Sequence, residues 1–302
     1  MTPLQRYIAE EIATDHVDGL FSRREALRRL ALLGVSGAAA TALIAACSSD
    51  KKPTSNTAAT TTPATAAAPP PGMDHAVPTQ PVTWAGPNGE LRGAWAAATD
   101  PRGAVLVIHE NKGLNSWVES VAGRLAGAGY SALAIDLLSE EGGTAKFTDP
   151  AQATAALGTI APERFVADLH SGVDEVARRA PGKKLAVIGF CFGGGLTWRL
   201  LAAGEPRLAA AVPFYGPLPD NPDFASSRQA AVLAFYGALD TRVTSSKDAA
   251  GAALEKAGMT HQLVVMPDAD HAFFNDTGPR YNPTAAAQAW QQLQDWFAAH
   301  LA

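Results

Sequence analysis

The sequence is poor in cysteine: Cys47 and Cys191 are the only two in 302 residues. Two cysteines, with no Cys-x-x-Cys pair, cannot build a disulfide framework, a structural metal site or a dithiol redox centre. An excess of positive charge is also lacking, because 24 Lys and Arg residues stand against 29 Asp and Glu residues, giving a net charge of −5. No overall basic field is available to hold a nucleic-acid backbone, so we expect no nucleic-acid partner.

Long apolar runs are scarce as well, and the one near the amino terminus covers only residues 30–46. At that length a segment is at the lower limit for spanning a bilayer. It follows the paired Arg23 and Arg24, and a positive region before a short apolar region is typical of a signal peptide. The run ends Leu-Ile-Ala-Ala before Cys47, which resembles a lipobox. We predict a twin-arginine, lipoprotein-type signal peptide over 1–46, recognised by the twin-arginine export machinery. Cys47 would carry the lipid. The alternatives are an uncleaved membrane helix and an ordinary buried helix.

Residues 47–79 consist mostly of Ser, Thr, Ala and Pro, with few aliphatic side chains to bury. Such a composition cannot offset the entropy that ordering the chain costs, so we expect a disordered tether behind the lipidated cysteine. The acyl chains would attach the protein to the bilayer without spanning it. The predicted location is therefore the extracytoplasmic side of the membrane, in the periplasm or on the cell surface.

The remaining residues, 80–302, alternate strand and helix patterns. An Asn-Gly step at 88–89 indicates a hairpin within 82–98. Continuous apolar runs, typical of strands buried on both faces, are then separated by helical patterns. This alternation predicts an α/β fold with a mainly parallel central sheet and helices on both faces. The predicted strands are 104–108, 131–135, 185–188, 209–213, 231–236 and 262–266, and the predicted helices are 117–128, 162–179, 196–203, 247–257 and 284–301.

Cys191 lies between one of these strands and the following helix, in the sequence Gly-Phe-Cys-Phe-Gly at 189–193. This pattern is that of a nucleophile elbow with sulfur in place of the serine oxygen. A residue on so sharp a turn needs glycines two positions away, where a Cβ would clash with neighbouring backbone. The amino end of a helix also favours thiolate. We predict that Cys191 is a nucleophile; the alternative is a buried structural cysteine beside a glycine-rich turn.

A nucleophile of this kind requires an acid and a histidine, which follow it in that order in the chain. Asp240 and His271 each follow a predicted strand, so we expect both at the same edge of the sheet as Cys191. His271 would move the proton and Asp240 would orient its ring. Asp240 could instead be a turn or helix cap, His271 could be a solvated loop histidine, and Asp268 and Asp270 compete for the acid role.

Four ordered motifs carry a family resemblance. They are His-Glu-Asn-Lys-Gly-Leu-Asn at 109–115, Gly-Phe-Cys-Phe-Gly-Gly at 189–194, Tyr-Gly-Ala-Leu-Asp at 236–240 and Asp-His-Ala-Phe at 270–273. Together they resemble the dienelactone hydrolase family, over about 80–302, and this resemblance implies the α/β-hydrolase fold with a triad of Cys191, Asp240 and His271. It also implies that Glu110 holds the resting thiol and helps to activate it. In this fold the amide of Phe192 is one oxyanion donor, and the family pattern places the second at Asn111.

The resemblance leaves the substrate open. The enzyme that names the family grips a carboxylate with arginines, one of them four residues after the histidine, where this sequence has Asn275. Arg280 and Arg164 are candidates to replace that cation. We expect a monomeric hydrolase of small esters or lactones, of the carboxymethylenebutenolidase type, acting through a thioester and needing no metal or organic cofactor. A general carboxylesterase or thioesterase of the same fold, and a non-catalytic ligand-binding surface lipoprotein, are the alternatives.

Overall fold

Two units, divided between Pro69 and Pro70, make up the chain. The computed structural model describes residues 1–49 and 69–301. Most of the tether predicted over 47–79 therefore lies outside the described residues. Among the described residues, no helix combines the length and the apolar character that crossing a membrane requires.

The first unit contains three helices, α1 (Pro3–Val17), α2 (Arg23–Leu32) and α3 (Gly37–Ser49). Thr2 and Gln5 form a capping box at the start of α1. Ser22 caps α2, because its hydroxyl accepts a hydrogen bond from the backbone N–H of Glu25. The paired arginines of the predicted export signal thus begin α2 and are exposed, and Cys47 lies near the end of α3.

In the second unit, described over residues 70–301, eight strands form one sheet in the order β1-β2-β4-β3-β5-β6-β7-β8. β2 pairs antiparallel with both of its neighbours, and every other pairing in the sheet is parallel. The residues of β3 and β5 are buried along their whole length, as expected for strands covered on both faces. The strands are β1 (Gln80–Ala85), β2 (Glu90–Ala96), β3 (Gly103–Ile108), β4 (Tyr130–Asp136), β5 (Leu185–Phe190), β6 (Leu208–Phe214), β7 (Ala231–Gly237) and β8 (His261–Met266).

Helices flank this sheet. Each predicted helix is present, and so is the predicted hairpin, which is formed by β1 and β2. The helices are α4 (Ser116–Gly127), α5 (Pro150–Thr159), α6 (Pro162–Arg179), α7 (Phe192–Ala203), α8 (Thr241–Thr244), α9 (Lys247–Lys256) and α10 (Pro283–Leu301), with short 3₁₀ helices at Met73–His75, Ser139–Glu141, Thr144–Lys146 and Ala225–Ser227. The predicted α/β architecture with a mainly parallel sheet is confirmed.

Two helices of the second unit, α5 and the one-turn α8, were not predicted. Asp149 caps α5, because its carboxylate accepts from the N–H of Ala151, and Pro150 follows at the first helical position. An Asp-Pro step is a normal helix start, because proline lacks the N–H that the first turn cannot bond. The signal was in the sequence, but the Ala-rich segment behind it has little amphipathic periodicity.

Candidate active site

The carboxyl ends of five neighbouring parallel strands meet at one edge of the sheet. β3, β5, β6, β7 and β8 are consecutive in that part of the sheet and run in the same direction. Ligands of open α/β sheets collect at this edge. The residues that follow these strands include Glu110, Cys191, Tyr215, Asp240 and His271.

Cys191 occupies the turn between β5 and α7 in a strained conformation, with φ 56° and ψ −117°. Its N–H donates to the carbonyl of Phe214 at 3.0 Å, and its carbonyl accepts from the N–H of Gly195 at 3.0 Å, so β6 and the first turn of α7 hold the residue in place. A non-glycine residue in such a region persists only where the surroundings enforce it, and such strain is concentrated at functional sites. The backbone therefore has the shape of the predicted elbow.

The glycines around Cys191 are required by close packing. A Cβ on Gly189 would lie 2.1 Å from the carbonyl oxygen of Gly193. A Cβ on Gly193 would lie 2.5 Å from the carbonyl oxygens of both Ile108 and His109. Any side chain at either position would push the elbow away from the end of β3.

His271 stands beside the cysteine. A ring nitrogen of His271 lies within 4.8 Å of Cys191 Sγ. Nδ1 of His271 donates to Asp240 Oδ2 at 2.6 Å, and both residues are buried. The loop that carries His271 is bent by two non-glycine residues with positive φ, Asp268 at 54° and Ala272 at 60°. The structure thus brings the three predicted side chains together in the order Cys191, His271, Asp240.

Asp240 also caps a helix, as its alternative interpretation proposed. Its Oδ1 accepts from the N–H of Val243 at the start of α8, while Oδ2 faces the histidine. Burial by itself raises the pKa of Asp240, but the charge of His271 and its hydrogen bond outweigh that effect and lower the pKa. Of the competing carboxylates, Asp270 accepts from the backbone N–H of His271 through Oδ1 and pairs with Arg280 through Oδ2. The backbone carbonyl of Asp268 accepts from Asn282.

Glu110, directly beyond β3, is buried and held by a neutral partner. Asn275 Nδ2 donates to Glu110 Oε2 at 2.8 Å, and Tyr215 Oη lies 3.5 Å from the other carboxylate oxygen. Asn275 Oδ1 accepts from both the N–H and the hydroxyl of Thr277, which fixes the orientation of the amide. Asn275, predicted near the substrate, therefore orients Glu110. The role of Glu110 toward the thiol stays a prediction.

The two predicted oxyanion donors are backbone amides of Phe192 and Asn111. Phe192 is the first residue of α7, so its N–H has no partner within the helix. The N–H of Asn111 makes no hydrogen bond with any of residues 1–49 or 69–301. Neither N–H thus has an acceptor among the described residues, so both are available to an oxyanion.

Each of the two arginines predicted to bind substrate pairs with a carboxylate of the protein. Arg164 makes two hydrogen bonds to Glu141, at 2.7 and 2.8 Å, and lies 3.6 Å from Asp168. Arg280 lies 3.6 Å from Asp270 in an ion pair. Both guanidinium groups thus have carboxylate partners, and a substrate-binding role for either stays a prediction.

Sequence reasoning gave no role to two residues at this edge, Tyr215 and His109. Tyr215 has φ 37° and its ring packs edge-on against His271, with centroids 5.2 Å apart. It follows the end of β6, and that position was its only signal. His109 belongs to the motif at 109–115 and is fully buried.

Known proteins resemble the chain over this second unit. Residues 91–301 match the family model described as "Dienelactone hydrolase family". The chain belongs to the dienelactone hydrolase family. The curated relatives include two proteins named "Putative carboxymethylenebutenolidase". The protein from Salmonella typhimurium is 35% identical over 208 residues, covering 65% of this chain and 77% of the relative. The protein from Methylorubrum extorquens is 35% identical over 217 residues, covering 68% and 74%.

Solved structures of this family superpose on the same region. The crystal structure of a "Putative Dienelactone Hydrolase" from Klebsiella pneumoniae is 30% identical, with a TM-score of 0.63, covering 73% of this chain and 98% of that one. The dienelactone hydrolase-like promiscuous phosphotriesterase P91 from metagenomic libraries is 27% identical, also with a TM-score of 0.63, covering 75% and 100%. The predicted resemblance and the predicted enzyme class, a hydrolase acting on ester or lactone bonds, are confirmed.

Proposed function

We propose that this member of the dienelactone hydrolase family hydrolyses small esters or lactones through a thioester on Cys191. The observation that carries the proposal is the strained elbow of Cys191 within 4.8 Å of a His271 ring nitrogen, with the same ring bonded to Asp240 at 2.6 Å. A nucleophile, a proton carrier and an orienting acid thus lie next to one another in space, which is the arrangement that covalent acyl transfer needs.

Acylation begins when His271 takes the thiol proton and Cys191 Sγ attacks the carbonyl carbon. The carbonyl π electrons move to oxygen, and the resulting oxyanion accepts hydrogen bonds from the amides of Phe192 and Asn111. The tetrahedral intermediate then collapses, the bond to the alcohol oxygen breaks, and His271 returns its proton to that oxygen. The product of this half-reaction is an alcohol and a thioester.

Deacylation repeats these steps with water. His271 removes a proton from water, the oxygen attacks the thioester, and the second oxyanion uses the same two amides. Collapse breaks the carbon–sulfur bond, releases the carboxylic acid and leaves Cys191 protonated by His271. Asp240 stays ionised beside the imidazolium throughout, because its pKa is held low by that neighbour.

The test is hydrolysis of a chromogenic short-chain ester and of a dienelactone by the wild type and by Cys191→Ala. We expect kcat/KM to fall by at least about 10³-fold in the variant, and intact-mass analysis during turnover to find one acyl group on wild-type Cys191. His261→Gln is a matched control, since His261 lies at the start of β8 and its ring bonds to the carbonyl of Met259, two residues earlier. Retained activity in Cys191→Ala would refute the proposal. Turnover of the ester alone would favour a general esterase, and ligand binding without turnover would favour a binding module.

We further propose that the enzyme is exported by the twin-arginine route and anchored through lipid on Cys47. The support lies in the exposed Arg23 and Arg24 at the start of α2, and in α3, which has no charged residue before Cys47. A lipid chain would attach the enzyme to the outer side of the membrane without a spanning helix. Mass spectrometry of the membrane fraction should find a mature chain that begins at diacylated Cys47. Intact Met1 on that protein, or unchanged membrane attachment of Cys47→Ser, would contradict the anchor.

A further inference from the structure

We infer that His109 is a positioning residue that holds both oxyanion amides in place, an inference that rests on the proposed function. His109 follows β3 directly and none of its surface is exposed. Its imidazole lies between the two residues whose backbone N–H groups are proposed to stabilise the oxyanion. A hydrogen bond connects it to the peptide of Asn111, and ring packing connects it to Phe192.

The hydrogen bonds of the ring define its tautomer. The backbone N–H of Leu137, just beyond β4, can only donate, so the His109 Nε2 atom at 3.2 Å accepts. The proton of the neutral ring is therefore on Nδ1, which donates to the carbonyl oxygen of Glu110 at 2.6 Å. Burial lowers the pKa of His109, in keeping with a neutral ring, although Asp136 opposes this effect.

The bond to Glu110 sets the direction of the Asn111 amide. The carbonyl of Glu110 and the N–H of Asn111 belong to one planar peptide, and none of the described peptides is cis, so the two groups point in opposite directions. Fixing the carbonyl toward His109 therefore fixes the N–H on the other side. Gly113 N–H donates to the same carbonyl at 3.3 Å, and Thr154 Oγ1 donates to the carbonyl of Asn111 at 2.8 Å. Hydrogen bonds thus hold the Glu110–Asn111 peptide at its carbonyl and also hold the carbonyl of the peptide that follows it.

The second contact is with the other donor residue. The rings of His109 and Phe192 are parallel within 7°, with centroids 6.5 Å apart, and Phe165 packs edge-on against the far ring at 5.4 Å. The backbone of the two loops is also in contact, because Gly193 packs against the carbonyl of His109. A shift of the imidazole would therefore move both donors relative to the carbonyl under attack.

A pair of variants separates the two hydrogen bonds of the ring. In His109→Asn the amide nitrogen can take the place of Nδ1 and still donate to Glu110. In His109→Gln the amide oxygen can take the place of Nε2 and accept from Leu137, but the donor to Glu110 is lost. We expect kcat for a chromogenic short-chain ester to fall about 10- to 100-fold in His109→Gln, since a misaligned oxyanion donor costs up to about 10²–10³-fold. We expect His109→Asn to stay within about 5-fold of the wild type.

Alkylation of Cys191 by iodoacetamide forms no oxyanion, so it measures the reactivity of the thiol alone. If His109 were merely structural, its loss would lower the alkylation rate and kcat together. We expect the alkylation rate and KM of His109→Gln to stay within about 3-fold of the wild type while kcat falls. His261→Gln is the matched control and should change nothing. A wild-type kcat in His109→Gln would overturn the inference, as would an equal loss in kcat and in the alkylation rate. Failure of the proposed function is seen separately, as absent or Cys191-independent turnover in the wild type.

Discussion

At the scale of single residues, Asp240 shows how one side chain meets two requirements. As a helix cap it accepts from Val243, and as the partner of His271 it accepts from Nδ1. The sequence supported both interpretations and presented them as alternatives, because nothing in a linear pattern shows that a carboxylate has two oxygens pointing in different directions. The structure satisfies both at once.

This double role predicts a selective effect of Asp240→Asn. Asparagine caps a helix about as well as aspartate, so the melting temperature should change little. Its amide N–H would oppose Nδ1–H and favour the tautomer in which His271 presents a proton to Cys191, so kcat/KM for an ester should fall by about 10²–10⁴-fold. Steady-state kinetics together with thermal unfolding of the same preparation check this. Equal activity, or a melting temperature that collapses with the activity, would count against the assignment of Asp240 as the orienting acid.

At the scale of elements, the strand–turn–helix formed by β5 and α7 is the part of the fold that the sequence predicts most directly. A buried apolar run, spaced glycines and a following helix predicted both its shape and the residue at its centre. The contact between Gly193 and the backbone at the end of β3 was not predictable in this way. It depends on β3 lying next to β5, and that strand order follows from how the whole sheet assembles.

The same contact predicts the effect of Gly193→Ala. The new methyl group would meet the carbonyl oxygens of Ile108 and His109 at 2.5 Å, and backbone cannot move aside as a flexible side chain can. We expect a loss of about 1–3 kcal/mol in the free energy of unfolding, and lower activity because the oxyanion loop is displaced. Gly251→Ala is the control: it lies within α9 and would meet only the end of the Leu263 side chain at 3.3 Å. Denaturant unfolding should find Gly251→Ala near the wild type; an equally stable Gly193→Ala would show that the elbow is not closely packed.

At the scale of the whole molecule, the parallel sheet converts distant sequence positions into one site. Glu110 and Asn275 are 165 positions apart and share a hydrogen bond. Strand patterns predicted that loops after β3 and β8 lie at the same edge, but not which side chains pair there. The partner of each arginine was not predictable either: Arg164 and Arg280, whose substrate-binding role stays a prediction, pair with Glu141 and Asp270. Side-chain partners across loops depend on details of loop path that local sequence does not encode.

Two buried carboxylates away from the site have opposite effects on stability across the pH range. Burial alone would raise the pKa of Glu205, but hydrogen bonds from Arg207 and His170 outweigh it and lower the pKa to about 2. Burial, reinforced by Glu140, raises the pKa of Asp168 to about 6 despite the nearby Arg164. Neither carboxylate oxygen of Asp168 accepts a hydrogen bond within the described part of the chain.

Since a lowered carboxyl pKa stabilises the fold above the unfolded pKa, the contribution of Glu205 should be complete above about pH 4.5 and be lost as the pH falls toward about 2. Asp168 has the opposite sign: its folded form binds the proton more tightly, so the ionised carboxylate destabilises the fold above about pH 6 and this penalty vanishes toward pH 4. We expect Glu205→Gln to lower the free energy of unfolding by up to about 3 kcal/mol at pH 7, because one pKa unit corresponds to about 1.4 kcal/mol. By the same conversion, Asp168→Asn should raise the free energy of unfolding by about 1–3 kcal/mol at pH 8. Urea unfolding of the full chain at pH 4, 6 and 8 measures both differences. A gain for Asp168→Asn that is as large at pH 4 as at pH 8 would show that packing, and not the buried charge, sets its effect.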